Sequence, residues 1–243
     1  MKTVMLNAGN RIVNNWIYPI DKGYVLIDTG YENGFAHFKK RLTKMQIDPR
    51  QIRYIFLTHA HDDHAGYLNK ILSECPDAEI VMSGKALKRL YRGQNSFGGG
   101  CTTRLALFFC VLMKLVGKGR HLFPAIKQEY QCRCIQVTEQ NRKQVELLLQ
   151  GKIIDTPGHT ADSISLLRKD GSLFCGDAAM NGLPSLHRIT IWAEDKTAFL
   201  QSWEIIIALR PKLIYPGHGR PFAYGDLKAN LNRAKGMELL PLR

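Results

Sequence analysis

A short run rich in histidine and aspartate constrains this chain more than any other feature. It reads Thr58-His59-Ala60-His61-Asp62-Asp63-His64-Ala65-Gly66. The mostly apolar stretch 53–57 precedes it directly and predicts a strand. Imidazole and carboxylate ligands together suit zinc, iron or manganese, whereas a structural zinc site normally recruits thiolates, and no cysteine lies near this run. His59 and His61 can reach one ion, while Asp63 and His64 can face a second. The run therefore predicts half of a two-metal site.

The length of the chain limits the number of domains that it can form. With 243 residues, of which 45% are hydrophobic, it can bury one substantial core. We expect a single domain over residues 1–243, in which residues 91–134 form an insertion. The stretch Met1–Asn7 lacks the apolar core of a signal peptide, which predicts a cytoplasmic protein. The six cysteines show no zinc-ribbon spacing, and we expect reduced thiols.

The positive charge of the chain is concentrated in its middle. The formal net charge is +13, and residues 84–152 contain thirteen Lys and Arg against three Glu. A strong positive field attracts anionic partners without identifying them. The charge therefore keeps nucleotides and nucleic acids among the partners to consider.

Apolar periodicity predicts strands and helices along most of the chain. The predicted strands are 11–18, 23–28, 54–57, 79–82, 135–138, 145–149, 152–155, 163–168, 172–175 and 212–215. The predicted helices are 33–46, 67–72, 85–91, 105–116 and 194–209. Asp48-Pro49 predicts a short helical turn, with Asp as the cap and Pro at the first helical position.

Metal-capable residues recur in tight turns after predicted strands. Beyond the histidine run, such turns are Thr156-Pro157-Gly158-His159, Gly176-Asp177 and Pro216-Gly217-His218-Gly219. Glycine lets the backbone turn sharply at these points. We therefore expect each turn to present its ligand at the edge of a sheet, and the four turns to build one site.

The segment 105–116 is apolar almost all round. Its twelve residues are too few to span a bilayer, which needs about twenty. Four interpretations follow: a buried helix, a lid over a pocket, a homodimer contact or a helix on a membrane surface. The three glycines Gly98-Gly99-Gly100 would provide a hinge for a lid. In that case Leu107, Phe108 and Met113 are the predicted substrate contacts.

The ordered set of motifs resembles the metallo-β-lactamase superfamily of binuclear metallohydrolases, which includes glyoxalase II, lactonases and ribonuclease Z. The resemblance rests on His59-x-His61-x-Asp63-His64, on the three later turns, and on Asp28-Thr29-Gly30 upstream. It covers nearly the whole chain except about residues 91–134. It implies an α+β fold, a four-layer αββα sandwich with a helical insertion at about 91–134.

The resemblance also implies a ligand set for two divalent metal ions. His59, His61 and His159 would hold the first ion. Asp63, His64 and His218 would hold the second, and Asp177 would bridge both. Zinc is the expected metal, with iron or manganese as alternatives. Two such ions would share a bridging hydroxide that attacks the substrate, and Asp63 could also orient this hydroxide.

The bridging Asp177 resembles the glyoxalase II and lactonase branch of the family. Met180, three residues later, stands where acyl-homoserine lactonases usually carry tyrosine. The expected function is hydrolysis of an ester, thioester or lactone of a small, partly apolar substrate. One alternative is a phosphodiesterase acting on a nucleotide or nucleic acid, although the chain has no run of aromatic and basic residues for stacking bases. Another is a non-catalytic metal-binding regulatory protein on the same scaffold.

Overall fold

The computed structural model of the protein describes residues 5–96, 98–117 and 119–242. Its strands are β1 (Leu6–Asn7), β2 (Trp16–Ile20), β3 (Gly23–Ile27), β4 (Ile52–Phe56), β5 (Glu79–Ser83), β6 (Gly100–Cys101), β7 (Cys134–Val137), β8 (Gly151–Asp155), β9 (Ile164–Arg168), β10 (Ser172–Gly176), β11 (Trp192–Ala193) and β12 (Leu213–Pro216). Its α-helices are α1 (Phe35–Lys44), α2 (Asp62–Ala65), α3 (Leu68–Glu74), α4 (Leu87–Arg92), α5 (Arg104–Leu115), α6 (Arg142–Leu149), α7 (Lys196–Leu209) and α8 (Gly225–Lys235). Part of the stretch Met1–Asn7, for which the sequence predicts no signal peptide, lies outside the described residues.

The chain forms two compact units. The first contains the residues up to Asn95 together with Leu122–Lys152, and the second contains Ser96–His121 together with the residues from Ile153 onward. The region 91–134, predicted as an insertion, therefore contributes α5 and β6 to the second unit. The single domain over residues 1–243 stays a prediction.

A six-stranded sheet is the centre of the first unit. Its strand order is β1-β2-β3-β4-β5-β7, with β2 and β3 as an antiparallel hairpin and with β3, β4, β5 and β7 parallel to one another. Because β3 and β4 are parallel neighbours, their carboxyl ends lie at the same edge of the sheet. Asp28 follows β3 there, and the histidine run follows β4.

Helix α1 confirms the helix predicted at residues 33–46. Its buried residues Phe38 and Leu42 are four positions apart and pack in the core of the first unit. The predicted turn at Asp48 is a capped 3-10 helix at Pro49–Gln51, in which the Asp48 side chain accepts a hydrogen bond from the Arg50 amide. Local periodicity and capping therefore determine this part of the chain.

The strand predicted at residues 145–149 is wrong, because these residues form the end of helix α6. Val145 and Leu149, four residues apart, are buried, whereas Leu147 and Leu148 are exposed. An apolar run this short fits a strand or a helix equally well, and only burial separates the two. Helix α8 lies in a region without a predicted element.

A four-stranded sheet is the centre of the second unit, in the order β12-β10-β9-β8. Strands β9 and β10 form the predicted hairpin, and β10 pairs with β12 in parallel. The carboxyl ends of β10 and β12 therefore lie at one edge, where the Gly217 amide donates to the Gly176 carbonyl at 2.8 Å. Asp177 and His218 follow these two strand ends. The four ligand turns thus follow strands of two different sheets. The sequence did not predict this division, because turn residues mark where a strand ends but not which strands it pairs with.

Helix α5 confirms the predicted helix at residues 105–116, but the interpretation as a buried helix is wrong. Ala106 is the only buried residue of α5, and both Phe108 and Leu115 are exposed. The described residues contain no helix of sufficient length and apolar character to cross a membrane.

Replacing Gly158 with alanine is expected to destabilise the protein by about 3 kcal/mol, because the new Cβ meets both backbone strain and a clash. Gly158 has a φ of +129°, and a Cβ there would lie 2.2 Å from the backbone nitrogen of Phe199 in α7. For a chain of this size, the midpoint of thermal unfolding should fall by about 6–12 °C.

The matched control for this change is Gly225→Ala, at the first residue of α8. A Cβ at Gly225 meets nothing within 4 Å, and alanine favours the helix. Thermal unfolding followed by circular dichroism of the metal-free proteins compares the two variants. Equal midpoints for both variants would contradict the proposed strain at Gly158.

Candidate metal centre

The histidine run brings its imidazoles together in the turn after β4 and in α2. His59, His61 and His64 are buried. The ring centroid of His59 lies 4.6 Å from that of His61 and 4.1 Å from that of His64. Asp63 Oδ1 lies 3.7 Å from His64 Nε2. The first unit thus groups all four ligands predicted from this run, His59 and His61 in the turn after β4 and Asp63 and His64 in α2.

Asp28 holds two of these histidines in place through a hydrogen-bond network. Its Oδ1 accepts from the Thr58 amide at 2.7 Å, and its Oδ2 accepts from the Thr58 hydroxyl at 2.8 Å. Its Oδ2 also lies 2.9 Å from His64 Nδ1. Because the Thr58 hydroxyl donates to Asp28, its oxygen accepts from His59 Nδ1 at 3.0 Å. Both rings then carry the proton on Nδ1 and the lone pair on Nε2, which is the ligand atom of many metal-bound histidines.

The position of Asp28 in the fold explains both its reach and its environment. Asp28 is buried and has a φ of +56°, which turns the chain sharply at the end of β3. Burial raises the pKa of its carboxyl group, while His64 and the hydrogen bonds from Thr58 oppose that rise. Asp28 belongs to the motif Asp28-Thr29-Gly30, from which no role for it is predicted. One sequence signal could have identified Asp28 as a partner of the histidines. It is an acidic residue directly after a predicted strand, β3, whose end lies beside the end of β4.

In the second unit, one carboxylate lies between two imidazoles. Asp177 Oδ2 lies 3.3 Å from His218 Nε2 and 3.8 Å from His159 Nε2. Asp177 and His159 are buried, and the side chain of His218 is 12% exposed. This arrangement brings together the three residues predicted from the later turns. A carboxylate oxygen between two imidazole nitrogens suits a ligand that is shared by two cations.

The orientation of His159 is set by a backbone carbonyl. His159 Nδ1 donates to the Trp192 carbonyl at 2.8 Å, which leaves the lone pair of the ring on Nε2, the side of Asp177. The Thr190 hydroxyl, 3.3 Å from His159 Nδ1, donates to the sulfur of Met180 at 3.1 Å. No sequence signal identifies Trp192, because every residue carries a carbonyl group.

The chemistry of these side chains fits a divalent cation. The donors are imidazole nitrogens and carboxylate oxygens, and none is a thiolate, as expected for zinc, iron or manganese in a reactive rather than a structural site. The six cysteines are free thiols, as predicted. The residues of the first unit that could help to hold a metal ion are His59, His61, Asp63 and His64, and those of the second unit are His159, Asp177 and His218.

The three predicted substrate contacts on α5 differ in their exposure. Phe108 is exposed, whereas Leu107 and Met113 are half-buried. Phe108 and Met113 are five positions apart and therefore point about 140° away from each other around the helix. The assignment of these residues to substrate binding stays a prediction.

Comparison with known proteins identifies the family of this chain. The sequence profile of the metallo-beta-lactamase superfamily matches residues 8–218. The Beta-lactamase-like protein 2 homolog of Drosophila melanogaster is 26% identical over 207 residues, which are 85% of this chain and 58% of the fly protein. The chain thus spans little more than half the length of that relative.

Solved structures with the same fold support this result. TTHA1429 from Thermus thermophilus, a metallo-beta-lactamase family protein, has a TM-score of 0.66 at 18% identity, over 96% of this chain and 78% of that one. TTHA1623, solved in a di-iron-bound form, has a TM-score of 0.62 at 21% identity, over 95% of this chain and 98% of that one. These likenesses confirm the predicted α+β fold class with its several sheets and helices. On the profile match and the shared fold, this chain belongs to the metallo-β-lactamase superfamily.

Proposed function

We propose that this chain is a binuclear metal-dependent hydrolase that cleaves an ester, thioester or lactone of a small, partly apolar substrate. The observation that carries the proposal is the position of Asp177 Oδ2, which lies 3.3 Å from His218 Nε2 and 3.8 Å from His159 Nε2. A carboxylate in this position can bind two cations at once. In this proposal, residues 1–243 act as one catalytic domain.

The proposed ligands of the two ions follow the pattern of the family. His59, His61 and His159 would hold the first ion, Asp63, His64 and His218 would hold the second, and Asp177 would contribute to both. The hydrogen bonds from the Nδ1 atoms of His59, His64 and His159 support this assignment, since each leaves Nε2 as the ligand nitrogen. The metal is zinc in this proposal, with iron and manganese as alternatives that the same donors accept.

Bound divalent ions would lower the pKa of water to near neutrality and polarise the carbonyl group under attack. The protein itself then needs no nucleophilic side chain. Its residues position the reaction: Asp63 is the proposed group that orients the attacking hydroxide. Asp28 keeps the rings of His59 and His64 in one orientation and one tautomer through the contacts described above.

A panel of substrates distinguishes the proposed hydrolase from the phosphodiesterase and from the non-catalytic metal-binding protein. The full chain, loaded with zinc, manganese or ferrous iron, is assayed with chromogenic ester, thioester, lactone, phosphodiester and cephalosporin substrates. We expect turnover of at least one carboxylic ester, thioester or lactone, and loss of this turnover in chelator-treated protein.

Two outcomes would contradict the proposal. Turnover of the phosphodiester alone would favour the nucleotide or nucleic-acid phosphodiesterase, which the net charge of +13 makes the second candidate. No turnover of any substrate by fully metal-loaded protein would favour the non-catalytic metal-binding protein. Chelator-treated protein reloaded with the same metal is the control, because recovered activity shows that the loss came from metal removal.

A further inference from the structure

Helix α5 presents an apolar surface to solvent. Phe108 is 68% exposed and Leu115 is 78% exposed. The other exposed apolar side chains of this surface, which we call the α5 face, are Leu105, Val111, Leu112 and Val116. Isolated exposed apolar residues are normal on proteins, but a contiguous row of them marks an interaction surface.

The spacing of these residues makes the α5 face continuous. Phe108, Leu112 and Leu115 are separated by four and three positions, so they follow one side of the helix. Ala106 is buried, and Cys110 is half-buried. The helix therefore has an inner side and an outer side, and the outer side is the apolar one. With 12 residues, α5 is about 18 Å long.

The orientation of α5 is held by contacts at its amino-terminal end. The Thr103 hydroxyl accepts from the Ala106 amide at 3.0 Å and caps the helix. Just before it, Cys101 of β6 pairs with Trp192 of β11, and the Thr102 hydroxyl donates to the Thr190 carbonyl. The α5 face is thus presented outward by a paired strand and a capped helix.

The charged residues of α5 and of the sequence around it are positive. Arg104 and Lys114 lie on α5, and Lys118 and Arg120 follow it in the sequence. Lys118 is outside the described residues. The sequence contains no Asp or Glu from residue 80 to residue 128. An apolar face whose own segment carries only positive charges is complementary to a surface that is apolar inside and anionic at its boundary.

We propose that α5 binds the surface of a bilayer that contains anionic lipids, with the α5 face inserted at the level of the headgroups. The helix lies on the membrane and does not cross it. A second copy of the chain is a poorer match, because pairing two α5 faces would bring the positive charges of Arg104, Lys114 and Arg120 of both copies together. This inference does not depend on the proposed hydrolase activity.

Co-sedimentation with vesicles tests the proposal on the full chain. Vesicles of phosphatidylcholine with about one third phosphatidylserine are compared with vesicles of phosphatidylcholine alone. We expect binding to the anionic vesicles and at least about tenfold weaker binding to the neutral ones. Arg104→Gln and Lys114→Gln should each weaken binding to the anionic vesicles by about fivefold.

The apolar contribution is tested by Phe108→Ser combined with Leu115→Ser. Both side chains are exposed, so the fold should be retained, and vesicle binding should fall at least about tenfold. Leu147→Ser in α6 is the matched control, because Leu147 is 78% exposed, as Leu115 is, and lies in the other unit. In Phe108→Trp, the tryptophan emission should shift to shorter wavelength when anionic vesicles are added.

Each contrary result would overturn the proposal. Binding that is equal on both kinds of vesicle, absent from both, or unchanged by the serine substitutions would do so. Wild-type protein that does not bind vesicles but is a dimer dissociated by these substitutions would assign the α5 face to self-association. Absence of vesicle binding together with a raised KM in the double variant would assign α5 to a substrate lid.

Discussion

Replacing Asp177 with alanine is expected to lower turnover by about a thousandfold and to leave the protein folded. The change removes the one carboxylate that lies between His159 Nε2 and His218 Nε2, at 3.8 and 3.3 Å. Loss of a shared ligand should remove about 4 kcal/mol of the transition-state stabilisation that bound cations provide, and each 1.36 kcal/mol corresponds to a factor of ten in rate.

Metal content is the second measurement on this variant. Elemental analysis of wild-type protein purified without chelator should approach two equivalents of metal per chain, and Asp177→Ala should retain about one equivalent or less. Asp170→Ala is the matched control, since Asp170 belongs to the β9–β10 turn in the same sheet, where it accepts from the Ser172 amide. Near-normal turnover and full metal content in Asp177→Ala would show that Asp177 is not a metal ligand. A reproducible wild-type value of one equivalent would contradict the binuclear centre.

Asp28→Asn is expected to weaken metal binding by about 10- to 100-fold, although Asp28 is not a proposed ligand. Its carboxylate receives hydrogen bonds from the Thr58 amide, the Thr58 hydroxyl and His64 Nδ1. Asparagine has a similar size and tolerates the left-handed backbone of this position, where φ is +56°. Its amide group, however, supplies only one acceptor oxygen for these donors.

The variant separates a positioning role from a purely structural one. Competition with a chromogenic chelator measures metal affinity, and thermal unfolding of the metal-free protein measures stability. A buried donor without an acceptor costs about 1–3 kcal/mol, so some loss of stability is also expected. Asp62→Asn, in the histidine run itself, is the control, because the Asp62 carboxylate accepts from Asn95 and its variant should keep wild-type affinity. An unchanged metal affinity in a destabilised Asp28→Asn protein would reduce Asp28 to a structural residue.

The sequence predicted most elements of the fold where local patterns decide the structure. The strands before and after the histidine run, helix α1 and the hairpin of β9 and β10 all have clear apolar periodicity or turn residues. Prediction was wrong for α6, where an apolar run of five residues fits both a strand and a helix. The difference depends on which side chains are buried, and burial is a property of the whole unit.

In the metal centre too, the sequence predicted what depends on residue type and missed what depends on long-range contacts. Histidine, aspartate and glycine identify the candidate ligands and their turns directly, because few other residue types provide this chemistry. The support of those ligands depends on Thr58, Thr190 and the Trp192 carbonyl, which are ordinary in sequence and important only because of their position. Asp28 was predictable only in part. Its motif is visible in the sequence, but its contact with His64 joins positions 36 residues apart.

The sequence by itself determined the family, the order of the strands that end in ligand turns, and the donor types that suit a divalent cation. These properties are carried by residue identity and short spacing, so they can be seen along the chain. Only the tertiary structure decided which nitrogen of His59, His64 and His159 is hydrogen-bonded within the protein, which carboxylate supports the rings of His59 and His64, and which side of α5 faces outward. Those outcomes depend on hydrogen bonds between segments distant in sequence and on which side chains those segments bury. Such tertiary contacts override local conformational preference.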